Sequence, residues 1–298
     1  MSVGGAAGEP AGPAALGRRW SPILPVASSA LLVTIKAAGA VATGSLALGS
    51  AALDSLIDCF VYSASLLARR RGAAPPDSNH AFGHGKYEDL AMLGQGLFLA
   101  GAAAGLVIAG IQRLLKPEIP RQTAFGLSVL VASLLVGLLV TPRLERAAEQ
   151  TGSPALKADS QHFRSDLWIN ASALVALAIA RGTGWSPIDP LVALLVAAYV
   201  SRTAVGLLLE ALGGLSDRGL PPADLRQIEA VVASFAPEIA GMHGLQTRRS
   251  GGRSFISFHL EIPRQTSFVD AHDLTVRVLR AVEAALPRSE VFVHEDPV

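Results

Sequence analysis

The segment LALGSAALDSLIDCFVYSASLLA, residues 46–68, is apolar over the length of a membrane span, and yet it contains Asp54 and Asp58. A helix needs about 20 predominantly apolar residues to cross the hydrocarbon core of a bilayer. Comparable apolar blocks occur along the first two thirds of the chain. We therefore predict six transmembrane helices, at about residues 23–43, 46–68, 90–115, 124–140, 158–180 and 188–212.

The overall composition agrees with a membrane protein. The 298 residues are 50% hydrophobic and only 16% charged, with a mean hydropathy of +0.41, whereas soluble domains carry about 25% charged residues. These values exclude an ordinary soluble enzyme and a disordered chain. The net charge of +1 gives no electrostatic basis for a nucleic-acid partner. The single cysteine, Cys59, excludes a disulfide framework and a cysteine zinc cluster.

The distribution of basic residues predicts the orientation in the bilayer. Arg18 and Arg19 precede the first span, three arginines at 69–71 follow the second, and basic residues also fill the connection 143–157. The side richer in Lys and Arg faces the cytoplasm, so both termini are expected there. Residues 1–20, rich in Gly, Ala and Pro, are expected to form a disordered tail.

The composition becomes that of a water-soluble domain after about residue 212. Amphipathic helices are predicted at 221–235 and 269–286, and strands at 245–249, 254–262 and 290–294. The order αββαβ predicts a small α+β domain with helices on one face of a sheet. The expected division is a tail at 1–20, a six-helix transmembrane domain at 21–212 and a soluble domain at 213–298.

Two pairs of polar residues lie within the apolar blocks. Asp54 and Asp58 are four residues apart on one predicted span, and His162 and Asp166 are four apart on another. This spacing places each pair on one helix face. Since an ionised Asp near the bilayer centre costs about 2.5–3.5 kcal/mol, we expect the two faces to share a cation, with Zn²⁺ suited to three carboxylates and one imidazole. A polar network without a metal is the alternative.

Two further groups of histidines and acids lie outside the spans. Asp77, His80 and His84 occupy one short loop and could form a second metal site, although a solvated loop would also tolerate them. The soluble domain contains a third group. Its spacing is compatible with a cluster of two metal ions bridged by an aspartate, and equally with separate surface residues. This group comprises His243, His259, His272, His294 and Asp296.

Three motifs resemble those of the cation diffusion facilitator family. They are Asp54-Ser-Leu-Ile-Asp58, Asp77-Ser-Asn-His80-Ala-Phe-Gly-His84-Gly-Lys86 and His162-Phe-Arg-Ser-Asp166. The resemblance covers about residues 20–298 and includes the ending His294-Glu295-Asp296-Pro297. It is greatest to the bacterial zinc/iron exporter branch, because the zinc-restricted branch typically has His where this chain has Asp54.

The resemblance implies a homodimeric metal/proton antiporter of the bacterial inner membrane, and not an enzyme. It would export Zn²⁺, and also Fe²⁺, Cd²⁺ or Co²⁺, by alternating access. The soluble domain would have a metallochaperone-like fold, dimerise and hold zinc in a structural or regulatory role. The resemblance assigns transport to the four membrane residues, a second site to the loop residues, and a binuclear cluster to the C-terminal group.

Other interpretations remain open at this point. The ligand types also suit an iron- or manganese-preferring transporter. A membrane-anchored metal sensor or scaffold that does not transport is a different class, although such a protein needs no ligands within the bilayer. We expect protons to displace the metal, with His162 as their main carrier, and we expect Lys86 to pair with Asp217 at the membrane border.

Overall fold

The computed structural model describes residues 23–43, 46–115, 124–183 and 187–298. The predicted tail at 1–20 lies outside the described residues. Among these residues, six long helices precede a smaller domain of helices and strands. The long helices are α1 (Leu24–Thr43), α2 (Leu46–Gly72), α3 (Lys86–Leu115), α4 (Ala124–Thr151), α5 (Pro154–Thr183) and α6 (Ile188–Leu215).

The six helices confirm the predicted membrane architecture. Five of them, all except α5, are long and apolar enough to cross a membrane. Helix α5 has 30 residues, a sufficient length, but its first half carries Asp159, His162 and Asp166, which lower its mean hydropathy. Helix α4 extends beyond the predicted end at 140 because the next turns stay amphipathic and bury Leu144 and Ala148.

One cluster of buried side chains fixes how α2, α4 and α5 pack. Tyr62 of α2 lies against Leu144 of α4 and Phe163 of α5, and all three are less than 5% exposed. The rings of Tyr62 and Phe163 stack with their centroids 4.8 Å apart. Because His162 directly precedes Phe163, this packing also determines where the His162 imidazole lies.

The C-terminal domain confirms the predicted αββαβ order. Its sheet has the strand order β1-β2-β3, with β1 and β2 antiparallel and β2 and β3 parallel. The first strand begins earlier than predicted, because its ladder with β2 continues across a bulge between His243 and Gln246. The elements are α7 (Pro222–Ala233), β1 (Gly241–Ser250), β2 (Arg253–Ile262), α8 (Phe268–Ala285) and β3 (Ser289–Pro297).

The core of this domain lies between one face of the sheet and the two helices. Alternate residues of β2, among them Ile256 and Phe258, are buried, and α7 and α8 contribute apolar side chains such as Ile228 and Val278 to the same cluster. The predicted placement of the helices on one face is therefore confirmed. The intervening β2 residues, including His259, point to the other face.

The chain divides into two compact units. The first comprises the described residues up to Leu67 together with Leu97–Gln150 and Leu156–Ala204, and the second comprises Ala68–Gly96, Thr151–Ala155 and Val205–Val298. The second unit thus contains the C-terminal domain and several ends of the long helices. The predicted domain boundaries at 20 and 212 stay a prediction.

Truncation of the β2 core residue Phe258 should destabilise the C-terminal sheet. Phe258 is 1% exposed, and Phe→Ala substitutions at such positions cost about 3–5 kcal/mol. For Phe258→Ala, we expect native-state hydrogen exchange of the β2 amides to show a fall in opening free energy of this size. Phe268→Ala is the control, because Phe268 is 82% exposed. Equal effects of the two substitutions would contradict the assigned core.

Candidate metal centres

The first candidate centre lies between two membrane helices. Asp58 on α2 and His162 and Asp166 on α5 form what we call the membrane centre. The His162 Nε2 atom is 3.5 Å from Asp58 Oδ1 and 3.9 Å from Asp166 Oδ2. Ligand atoms around a tetrahedral zinc ion, at about 2.0–2.2 Å from the metal, lie about 3.3–3.6 Å apart. Small side-chain adjustments would therefore let these three groups share one ion.

The fourth predicted ligand, Asp54, is not brought into this group. Its side chain is exposed, and it lies one helical turn, about 5.4 Å along the axis, before Asp58. Within the described ranges, the long helices contain no set of three ligand atoms that all lie within 4.8 Å of one another. The shared helix face was foreseeable from the spacing, but the exposure of Asp54 was not.

Aromatic side chains enclose the imidazole of His162. The ring centroids of Tyr62 and Phe98 lie 5.1 Å and 5.4 Å from that of His162, and His162 is 3% exposed. Its Nδ1 atom is buried without a hydrogen-bond partner in the described part of the chain. The imidazole therefore has one nitrogen facing carboxylates and the other in an apolar wall.

The second candidate centre is the loop between α2 and α3. Asp77, His80 and His84, the loop centre, place three ligand atoms within 4.8 Å of one another. Asp77 Oδ1 is 3.2 Å from His80 Nδ1, and Asp77 Oδ2 is 3.3 Å from His84 Nε2. The structure thus brings together all three residues that the sequence placed in this site.

Main-chain groups hold the Asp77 carboxylate in place. The N–H groups of His80 and Asn79 donate to Asp77 Oδ1 at 2.7 Å and 2.9 Å. These hydrogen bonds favour the ionised form, so the pKa of the Asp77 carboxyl lies below its ordinary value. The loop therefore presents a charged oxygen ligand, fixed by its own backbone, beside two imidazoles.

The third candidate centre crosses the C-terminal sheet. In the strand register, His243 of β1 pairs with His259 of β2, and His259 pairs with His294 of β3. Neighbouring ring centroids in this row are 5.0 Å and 4.9 Å apart. The sequence placed His243 before the first strand, but it lies within β1, and the register therefore aligns the three histidines.

Asp296 lies at the middle of this row. Its Oδ2 atom is 2.9 Å from His259 Nδ1 and 3.3 Å from His243 Nε2, and its Oδ1 atom is 3.4 Å from His294 Nε2. We call these four residues the C-terminal centre. The hydrogen bond with His259 lowers the pKa of the Asp296 carboxyl most, and the nearby His294 and His243 lower it further. One carboxylate thus contacts three imidazoles, which suits an oxygen that bridges two ions.

Two residues are placed differently from what the sequence led us to expect for this centre. Glu261, which the sequence did not single out, has its Oε1 atom 2.9 Å from His243 Nδ1. Its signal was the alternation along β2, since Glu261 lies two residues after His259 and so points to the same face. His272 is exposed on α8 and lies outside the group of three ligand atoms that His243, His259 and Asp296 form.

The predicted ion pair between Lys86 and Asp217 is confirmed. Lys86 Nζ is 3.0 Å from Asp217 Oδ1 and donates to the Leu215 carbonyl at 3.2 Å. Arg248 of β1 also contacts Asp217, at 3.3 Å. Burial alone would raise the pKa of the Asp217 carboxyl, but hydrogen bonds from Lys86 and Arg248 outweigh this effect and lower it.

Two models of known protein families match the chain. Residues 23–216 match the cation efflux transmembrane domain, and residues 220–298 match the cation efflux protein cytoplasmic domain. The cation-efflux pump FieF of Escherichia fergusonii is 36% identical over 275 residues, which cover 92% of this chain and 91% of that protein. FieF of Escherichia coli O127:H6 is also 36% identical, with the same coverage.

Solved structures match about a quarter of the chain. A structure of the putative zinc transporter CzrB in its zinc form is 35% identical, covering 27% of this chain and 92% of that one with a TM-score of 0.26. The metal-bound C-terminal domain of the CzcD transporter from Thermotoga maritima is 29% identical, covering 26% and 94% with a TM-score of 0.24. From the two domain matches and the relatives along most of its length, this chain belongs to the cation efflux family of membrane transporters.

Proposed function

We propose that this cation efflux transporter exports Zn²⁺ from the bacterial cytoplasm in exchange for protons, with the membrane centre as its transport site. The observation that carries the proposal is the buried His162 imidazole, whose Nε2 atom lies between carboxylate oxygens of Asp58 and Asp166. Groups of this kind inside membrane helices are costly and mark ion pathways. Imidazole nitrogen with carboxylate oxygen is a donor set that zinc accepts.

Asp54 completes the proposed site as a fourth ligand. It lies on the same helix as Asp58 and one turn away, so a rotation of its side chain and a small shift of α2 would bring its carboxylate toward the ion. Before the metal ion binds, the membrane centre would offer three ligands and an open fourth position. The entering ion would then draw in the fourth oxygen, because four-coordination is the usual state of zinc.

Competition between metal and protons supplies the coupling. Carboxylate and imidazole ligands bind a metal only through deprotonated atoms, so protonation of the same atoms releases it. In the proposed cycle, the centre captures zinc while open to the cytoplasm. When the helices reorient to the outer side, higher proton activity there protonates His162 and one Asp, and the ion leaves. The reorientation is a rigid-body shift of helices.

The proposed orientation places both termini in the cytoplasm. Arg69, Arg70 and Arg71 form the last turn of α2, and Arg143, Arg146 and Lys157 lie around the connection from α4 to α5. Both groups lie on the side that is richer in Lys and Arg, and in membrane proteins this side faces the cytoplasm. The loop and C-terminal centres would then meet cytosolic zinc, and the matched relatives are named cation-efflux pumps.

The loop and C-terminal centres are proposed to hold zinc as resident ions in a homodimer. Each offers three nitrogen or oxygen atoms within 4.8 Å of one another, a donor set that fits zinc. In the C-terminal centre, zinc would tie β1, β2 and β3 together at one register position. His272 stays a proposed ligand, although within one protomer it lies outside the group that His243, His259 and Asp296 form. The family assignment argues against a sensor that does not transport. A preference for iron or manganese is tested by measuring the flux of several metals, as described below.

Removal of the Asp58 carboxylate charge should abolish zinc transport. In proteoliposomes with an imposed pH gradient, we expect Asp58→Asn to lower zinc flux at least about tenfold, since even outer-shell partners of metal ligands are worth 10–100-fold in metal affinity or activity. Asp189→Asn is the matched control, because Asp189 lies in α6 and pairs with Arg113 at 2.6 Å. The same assay with Fe²⁺, Mn²⁺, Cd²⁺ and Co²⁺ ranks the cargo. Undiminished flux in Asp58→Asn would refute the transport site.

Loss of the His162 imidazole should lower the number of protons that move for each metal ion. We expect His162→Ala to reduce zinc flux and to weaken the dependence of the residual flux on the pH gradient, because the remaining carboxylates exchange fewer protons per ion. A pH-sensitive dye inside the liposomes measures the protons that move for each zinc ion. Proton-coupled zinc flux equal to that of the unaltered chain would show that His162 is not the main proton carrier.

Zinc binding to the C-terminal centre should weaken on mild acidification. The lowered pKa of Asp296 keeps its carboxylate ionised above the ordinary Asp value of about 3.9, so the protons that compete with zinc above about pH 5 go to imidazole nitrogens, which bind a metal only when deprotonated. Each displaced proton changes affinity tenfold per pH unit. Calorimetry should therefore show constant affinity above about pH 7 and a steep loss below pH 6.5. Constant affinity down to pH 5 would contradict imidazole ligation.

A further inference from the structure

Helix α1 carries a single charged side chain, that of Lys36, within its apolar length. The stretch Leu24–Val41, which contains this lysine, is long and apolar enough to cross a membrane. Lysines inside membrane helices are rare, and they pair with acids or mark ion pathways. The proposed ligand set uses the membrane carboxylates and His162, but it gives Lys36 no role.

The ammonium group of Lys36 is directed toward α2. Lys36 Nζ donates to Ser55 Oγ at 2.7 Å, and Ser55 is only 2% exposed. Ser55 directly follows Asp54 and lies three residues before Asp58, so it is close to both acids on the helix surface. A lysine in a membrane helix can also extend along the helix to reach the polar surface. Here the hydrogen bond to a buried hydroxyl holds the ammonium beside the helix that carries two proposed ligands.

The charge of Lys36 also acts on the carboxylate of α5. Electrostatic attraction links Lys36 to Asp166, and both residues lie in the first compact unit. Asp166 Oδ2 is in turn 3.9 Å from His162 Nε2. One ammonium therefore acts on acids of two helices from outside the group of proposed ligands.

The formal charges of the proposed zinc-loaded site balance when Lys36 is included. The ionised carboxylates of Asp54, Asp58 and Asp166 bring three negative charges, and His162 binds a metal in its neutral form. Zinc brings two positive charges, and the ammonium of Lys36 brings the third. Because a net charge within the bilayer is costly, neutrality favours movement of the loaded site between its two orientations.

We propose that Lys36 is a fixed counter-cation of the membrane centre, whose charge makes the zinc-loaded site neutral. The proposal rests on the transport function proposed above. Lys36 also repels the ion that it accompanies, because like charges interact strongly where the dielectric constant is low. Zinc binding is therefore weaker than three carboxylates alone would make it, and the ion can leave in every cycle. The hydrogen bond to Ser55 keeps the ammonium beside the site.

Lys36→Met removes the charge and keeps a long, unbranched side chain. An apolar residue replaces a charged one in an apolar helix, so membrane insertion is not endangered. In proteoliposomes with an imposed pH gradient, we expect a lower KM for zinc, because the repulsion is lost. We expect the maximal flux to fall about tenfold or more, the lower end of effects from residues that support metal ligands. Lys36→Arg keeps the charge and should retain most of the flux.

Thr34→Val is the matched control on the same helix. Thr34 is exposed, and its hydroxyl donates to the Ala30 carbonyl of α1, so this variant should transport zinc as the unaltered chain does. Structural damage to the site would lower the maximal flux and raise KM, because misplaced ligands bind zinc less well. That result for Lys36→Met, or kinetics equal to those of Thr34→Val, would overturn the proposal.

A double substitution tests the charge balance directly. Asp54→Asn keeps a side-chain oxygen but removes one negative charge, so the loaded site would carry a net positive charge. Lys36→Met alone gives a net negative charge, and the two substitutions together restore neutrality. We expect the double variant to transport zinc severalfold faster than Lys36→Met alone. Losses that multiply would instead show that the two residues act independently, and would overturn the proposal.

Asp58→Asn distinguishes failure of this proposal from failure of the transport site. If Asp58→Asn loses zinc flux while Lys36→Met transports normally, the counter-cation is refuted and the transport site stands. If Asp58→Asn transports zinc normally, the transport site is refuted, and the counter-cation with it. Loss of flux in Asp58→Asn, together with the lower KM and lower maximal flux of Lys36→Met, supports both.

Discussion

The placement of the His162 imidazole between two carboxylates inside membrane helices is the constraint on which the transport domain depends. An ionised Asp near the bilayer centre costs about 2.5–3.5 kcal/mol, so Asp58 and Asp166 need a positive partner. In the proposed cycle, a divalent ion and protons are these partners in turn. The packing of Tyr62 and Phe163 fixes the position of the imidazole. When one positive partner leaves, the site therefore takes up another and does not collapse.

The C-terminal centre depends on a different constraint, the register of three strands. Antiparallel pairing sets His243 beside His259, and parallel pairing sets His259 beside His294. A shift of one strand by one residue would turn its histidine to the buried face. The apolar residues that alternate with these histidines, such as Phe258, therefore also specify where the proposed metal ligands lie. Core packing and ligand placement are consequences of one alternation pattern.

The helices and the ligand groups could be predicted from the sequence because the hydrophobic period and the spacing of polar residues are local properties. The six apolar blocks, the αββαβ order and the loop group Asp77, His80 and His84 required no knowledge of distant contacts. The exposure of Asp54, the strand membership of His243 and the contact of Glu261 with His243 depend on packing and on register, which spacing does not encode. The hydrogen bond from the Gly251 N–H to Asp89 could not be foreseen for the same reason, since the two residues are 162 positions apart.

The three centres differ in how far their ligands are preorganised, and this difference corresponds to the role proposed for each. In the C-terminal centre, Asp296 already lies 2.9–3.4 Å from three imidazoles, and in the loop centre backbone N–H groups hold Asp77. In the membrane centre the carboxylates stand 3.5 Å and 3.9 Å from His162, and Asp54 stays apart. Preorganised ligands bind tightly because little is spent on ordering them. A resident ion benefits from that, whereas a cargo ion has to leave in every cycle, so a looser arrangement that closes only around the ion suits transport.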